Sequence, residues 1–156
     1  MSNLRKEEFK NFNILVIGDD GIDKFVYGSA VRLAPEAPVP VLNPINETTN
    51  KGMAGNVVEN LEALGCVVDF KHGVKTSIKT RMIDVRSKQQ LLRVDQDSSS
   101  RPVKIEYDNL NEFNAIVISD YNKGFLTEED ILTISSNHDS VFLDSKRILE
   151  IGRAHV

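Results

Sequence analysis

The stretch Asn13-Ile14-Leu15-Val16-Ile17-Gly18-Asp19-Asp20-Gly21-Ile22-Asp23 decides the fold. An unbroken apolar run, Ile14 to Ile17, stops at a glycine and gives way to carboxylates. A run this short without alternation reads as a strand buried on both faces of a parallel sheet, where helices exclude water from either side. Ala115 to Ser119 (Ala-Ile-Val-Ile-Ser) repeats the pattern, and Cys66 to Phe70 and Val141 to Leu143 supply two further strands. Met53 to Leu64 is the clearest helix. Its Ala54, Val57, Val58, Leu61 and Leu64 share one face, and Gly65 follows as a stop. Thr127-Glu128-Glu129-Asp130 opens another helix with a capping-box pattern. Buried strands alternating with helices predict an α/β fold, a parallel sheet with helices on both faces.

Two stretches break that alternation. Val39 to Leu42 is held extended by Pro35, Pro38 and Pro40. Proline cannot donate to a central ladder, so this piece belongs at a sheet edge or outside the main sheet. Ile78 to Val85 and Gln89 to Val94 read as a hairpin around Arg86-Ser87-Lys88. Together they predict a separate small β-element.

Composition bounds the function. With 156 residues the chain is long enough for one domain with a core, and its 40% apolar and 27% charged residues are those of a globular protein. A formal charge of −4 argues against binding nucleic acid through a broad basic field, although Lys75, Lys79, Arg81, Arg86, Lys88 and Arg93 cluster locally. The single Cys66 cannot form an intramolecular disulfide, and the three histidines have no ligand-like spacing. Residues 1–12 are a polar extension without the apolar core of a signal peptide, and no window approaches the roughly 20 apolar residues of a membrane span. The expectation is a cytoplasmic protein with no membrane or nucleic-acid partner.

In open α/β sheets ligands bind beyond the carboxyl ends of the strands. Polar clusters stand there: Gly18 to Asp23, Ser119-Asp120-Tyr121-Asn122-Lys123-Gly124, and Asp144-Ser145-Lys146. Carboxylates can hold sugar hydroxyls or magnesium, and lysines can meet phosphates. Each cluster taken alone is also an ordinary turn composition. Lys51-Gly52-Met53-Ala54-Gly55-Asn56 opens the best helix, where small residues and free N–H groups favour anions or hydroxyls. It is neither a Walker phosphate loop nor a GxGxxG fingerprint.

In order along the chain, Val16-Ile17-Gly18-Asp19, Ile22 to Gly28, Arg32-Leu33-Ala34-Pro35-Glu36-Ala37-Pro38-Val39-Pro40-Val41, Gly52 to Gly65, Lys79-Thr80-Arg81, Gln89 to Asp95, Ser119 to Gly124 and Leu143 to Lys146 resemble the ribokinase/PfkB carbohydrate kinases. The Pro-Glu-Ala-Pro-Val-Pro and Ser-Asp-Tyr blocks are most similar to the heptose-7-phosphate kinase halves of bifunctional ADP-heptose synthesis enzymes. The resemblance covers residues 13–146 and implies a doubly wound α/β domain with a β-lid, its segments at about 26–42 and 78–94. It implies that Asp23, Gly52 and Asn56 hold sugar hydroxyls and that Lys79 and Arg81 meet a sugar phosphate. Asp120 and Lys123 would line the cleft, and Asp144 and Lys146 would face ATP and its Mg2+. A sugar or sugar phosphate is the implied partner, with a homodimer through the lid.

The departures from the family are specific. Met53 stands where the family usually has a second glycine, and the helix and strand that usually precede the hairpin are missing between His72 and Ile78. The family's Gly-Ala-Gly-Asp segment, which carries the general base and would lie C-terminal to Lys146, is absent, and residues 150–156 resemble a translated adapter. The sequence therefore reads as a C-terminally truncated kinase domain, inactive as it stands. The alternative reading is a non-catalytic sugar-phosphate-binding or lid-dimerisation module.

Overall fold

The computed structural model describes residues 9–98 and 109–148. The first eight residues of the polar extension and the tail at 150–156 lie outside them. The architecture is two four-stranded sheets, and the chain crosses between them at one rim.

The first sheet is parallel, in the order β4 (Val67–His72), β1 (Asn13–Gly18), β7 (Ala115–Asp120), β8 (Val141–Ser145). Leu15, Val16 and Ile17 have no exposure because both faces of β1 are covered. On one face Ile14 and Val16 pack with Ala54 and Val58 of helix α1 (Met53–Leu64). On the other, Leu15, Ile17, Ile116 and Ile118 pack with Ile131 and Ile134 of helix α2 (Glu128–Ser136) and with Phe125 and Leu126. Each such side chain stabilises the fold by roughly 1.5–3 kcal/mol on burial. Truncating Ile118 to Ala would remove roughly 2–5 kcal/mol.

Both helices end as their sequences direct. Gly65 caps α1 in the left-handed conformation (φ 104°), with its N–H donating to Glu62 O and that of Cys66 to Leu61 O. Thr127 and Asp130 form a reciprocal capping box at the start of α2.

The second sheet runs β3 (Pro40–Gly52), β2 (Asp20–Leu33), β5 (Ser77–Asp84), β6 (Gln90–Gln96). The proline-bearing strand β3 pairs only with β2 and forms an edge, as its missing donors require. The β5–β6 pair is antiparallel, with Lys88 at φ 57° in its turn. The extent of β2 and β3 differs from the sequence reading. The turn assigned from Gly18 to Asp23 is short, and Asp20 already belongs to β2. Likewise β3 continues to Gly52 and passes directly into α1. These strands are half-exposed or exposed along most of their length, so they carry no apolar run to mark them.

Candidate functional site

The rim between the sheets is where β1 leaves for β2, β3 enters α1, and β4 crosses to β5. One buried carboxylate ties it together. Asp19 is 4% exposed, and its Oδ2 accepts from the backbone N–H of Tyr121 (2.8 Å) and of Lys123 (3.2 Å). Its own carbonyl accepts from Ala54 N at the start of α1 (3.1 Å). Gly18 makes the exit possible, since a Cβ there would lie 2.1 Å from the Ser119 carbonyl oxygen. Asp20 Oδ2 accepts from Thr76 Oγ1 (2.7 Å) and so fixes the β4–β5 crossing. The sequence reading placed both aspartates in a polar cluster that could bind a ligand or form a turn, and gave neither a role of its own. The available signal was an acid directly after a fully apolar strand.

Asp23 lies on β2 against the β3–α1 junction. A Cβ on Gly52 would stand 2.8 Å from Asp23 Oδ2, so glycine is required for the carboxylate to sit there. In β5, Lys79 is the register partner of Asp23, and Lys79 and Asp23 line the same small cavity with Gly52. Arg81 Nη1 pairs with Asp23 Oδ1 at 2.5 Å, and its guanidinium lies 5.3 Å from the Phe25 ring centroid. Asn56 follows Gly52 by one helical turn and is exposed. Asp23, Gly52, Lys79 and Arg81 therefore gather at one corner of the rim, and Asn56 stands one turn into the helix that leaves it.

A second group surrounds Tyr121. Lys146 Nζ lies 4.5 Å from its ring centroid and Lys79 Nζ 6.0 Å, so one lysine from each sheet meets the same aromatic. Lys123 Nζ bonds Asp97 Oδ1 at 2.7 Å, which joins the loop after β7 to the end of the second sheet. That contact, reinforced by the charges of Lys79 and Arg93, holds the Asp97 carboxyl below the usual range. Asp144 is exposed at the end of β8, beside Lys146.

Asp120 stands apart from these groups. It is 1% exposed, and its Oδ2 accepts from Arg147 Nε (2.7 Å) and Ser145 Oγ (2.7 Å). Arg147 also donates to the Leu126 carbonyl. The carboxylate thus braces the ends of β7 and β8. The sequence reading did not foresee this bracing role of Arg147, whose only signal was a cation just beyond Asp144. Among the described residues no group of three His, Cys, Asp or Glu side chains is placed to hold a metal ion, and no helix is long and apolar enough to cross a membrane.

Comparison with known proteins bears on the fold. No family model matches the chain. Bifunctional protein HldE of Aliarcobacter butzleri is 34% identical over 178 residues, covering 88% of this chain and 37% of its own length. HldE of Paramagnetospirillum magneticum is 37% identical over 164 residues, covering 80% and 33%. The chain thus spans little more than a third of the curated relatives it matches. Both alignments are longer than the 156-residue chain, so the relatives carry internal segments that this chain skips.

Among solved structures, Cryptococcus neoformans ribokinase in complex with ADP superposes with a TM-score of 0.52 at 15% identity, covering 89% of this chain and 51% of that one. Escherichia coli phosphofructokinase-2 in complex with fructose-6-phosphate gives 0.52 at 12% identity, covering 86% and 55%. These likenesses establish the fold. The chain is thus a homologue of part of the bifunctional HldE proteins, and it has the fold seen in ribokinase and phosphofructokinase-2.

Proposed function

We propose that this chain carries the acceptor side of an ATP-dependent sugar kinase whose substrate is a heptose 7-phosphate or a closely similar sugar phosphate. The observation that carries this reading is the corner at Gly52. There the Asp23 carboxylate sits against the Gly52 backbone beside the cations Lys79 and Arg81, and the exposed amide of Asn56 follows one helical turn on. Aspartate and asparagine suit vicinal hydroxyls, and the cations suit a phosphate ester. HldE relatives at 34–37% identity support the heptose assignment. The neighbours solved with ADP and with fructose-6-phosphate support a nucleotide and a sugar phosphate as the ligand pair.

In this reading Lys123 and Lys146 face the phosphates, and Asp144 is the carboxylate available to magnesium. One exposed carboxylate fits that ion, which usually keeps its waters and binds through one or two carboxylates plus substrate phosphates. ATP would supply the phosphoryl group, and the residues named here orient the acceptor and neutralise charge. Calorimetric titration with heptose 7-phosphate tests the assignment. Binding should be lost in Asp23→Ala and weakened in Asn56→Ala. Unchanged binding in both variants would sink the reading.

One observation favours a sugar-phosphate-binding module without turnover. Asp19, Asp20, Asp23 and Asp120 are all engaged by backbone N–H groups, a hydroxyl or an arginine, so none of the four is a free general base. Sugar-dependent release of ADP from ATP separates the two readings. The apolar concavity of about 400 Å3 bounded by Val39, Leu42, Met82, Leu91 and Leu92 supports a homodimer through the second sheet. A cytoplasmic location completes the proposal.

A further inference from the structure

Lys123 sits on a loop whose backbone is fixed. Its N–H and that of Tyr121 donate to the buried Asp19 carboxylate, and Asn122 N donates to Asp120 Oδ1. Its neighbours Asn122 (φ 56°) and Gly124 (φ 89°) are both left-handed. Only the lysine side chain is left to move. It reaches across to the second sheet, where Nζ bonds Asp97 Oδ1 at 2.7 Å, and that carboxylate is half in solvent. Asp97 is held in place from the next residue, since Ser98 N donates to Oγ of Ser77, the buried residue that opens β5. The surroundings are cationic. Lys79 and Lys146 meet the Tyr121 ring from the two sheets, and among the described residues neither has a carboxylate partner. Arg93 is taken up by Asp95 at 2.8 and 3.0 Å. An anion drawn to Lys79 and Lys146 therefore meets a third lysine that is already engaged.

We propose that Asp97 is a resident competitor for phosphate: its carboxylate holds Lys123 until a phosphate ester takes that lysine over. The exchange needs only a rotation of the lysine side chain, because Asp19 pins the loop backbone whichever partner is present. A phosphate ester carries more charge than one carboxylate and offers three acceptor oxygens, so it can engage several of these lysines at once. The same exchange releases the tie between the end of the second sheet and the loop after β7. The inference rests on the reading of Lys79, Lys123 and Lys146 as phosphate contacts and adds what limits their affinity.

Calorimetric titration of the full chain with heptose 7-phosphate and, separately, with inorganic phosphate tests it. A partly exposed ion pair is weak, so Asp97→Asn should bind both ligands only about three- to tenfold more tightly than wild type. In a Lys123→Met background the same substitution should bring no gain, whether that background binds weakly or not at all. A carboxylate acting only through its general field would give the gain with or without Lys123. Thermal unfolding establishes that each variant is folded. Heptose 7-phosphate that binds wild type and Asp97→Asn equally overturns the competitor and leaves the acceptor site standing. A gain that survives Lys123→Met does the same. The gain for inorganic phosphate without any binding of heptose 7-phosphate upholds the competitor and overturns the acceptor reading alone. Absence of binding of either ligand to wild type and to Asp97→Asn overturns both.

Discussion

Asp84 shows how a single carboxylate can govern the junction of three segments. Its Oδ2 accepts from Ser87 N (2.9 Å) and Ser87 Oγ (2.7 Å), and its Oδ1 from Ala30 N on β2 (3.1 Å). These bonds, those from Ser87 first, lower its pKa to about 2. A depressed folded-state pKa means that the ionised form stabilises the fold above the ordinary carboxylate range. That contribution is complete above about pH 5 and fades as pH falls through about 4 towards 2. Urea unfolding followed across this window should show a smaller acid loss of stability in Asp84→Asn than in wild type. Equal slopes would show that the carboxylate has no part in it. The buried Asp120–Arg147 pair predicts a larger effect. Removing the cation alone, as in Arg147→Met, leaves a buried charge and should destabilise by about 3 kcal/mol in urea titrations. The double variant with Asp120→Asn should recover much of that loss. If it does not, the pair is not what braces β7 against β8.

At the scale of elements, legibility followed burial. Helix α1 was readable to its ends because one face is buried and its stop is a left-handed glycine. β1 and β7 were readable because two covered faces demand continuous apolar residues. β2 and β3 were not, since a sheet exposed over most of β3 accepts Asn46-Glu47-Thr48-Thr49-Asn50, which has neither alternation nor an apolar run. The same cause divided the candidate site. Asp23, Gly52 and Asn56 were legible as a set of chemical types, whereas the meeting of Asp23 with Gly52 depends on the Gly21–Gly52 pairing, which no local pattern encodes. The pairing of Asp120 was not legible because its partner Arg147 comes later, after β8. Local chemistry that is encoded can be tested directly. Thr127→Ala removes one half of the capping box on α2 and should lower stability by about 1 kcal/mol in chemical denaturation, with ligand binding unchanged. A neutral result would mean that Ile131 and Ile134 hold α2 without its cap.

Across the whole molecule, the two sheets present very different surfaces. The central strands of the parallel sheet are covered by α1 and α2, with Val67 and Phe142 exposed on its edge strands, while the second sheet exposes Val31, Leu33, Ile45, Leu92 and Val94, with Val39 just before β3. A monomer has no reason to keep so many apolar side chains in water on one small sheet, and burying them in a matched surface would be favourable by about 25 cal/mol per Å2. Open strands β3 and β6 border that sheet, so a second copy could add both backbone pairing and apolar contact. Leu92 is 52% exposed and lines the apolar concavity, which makes it the residue to change. Leu92→Glu places a charge where a partner would exclude water and should convert a dimer to a monomer in sedimentation-velocity measurements. Because the side chain is already half in solvent, the charge should leave the thermal stability of the monomer nearly unchanged. A wild-type chain that sediments as a monomer at all concentrations would remove the lid interface from the proposal. The acceptor corner at Asp23 would remain, since it is built within one chain.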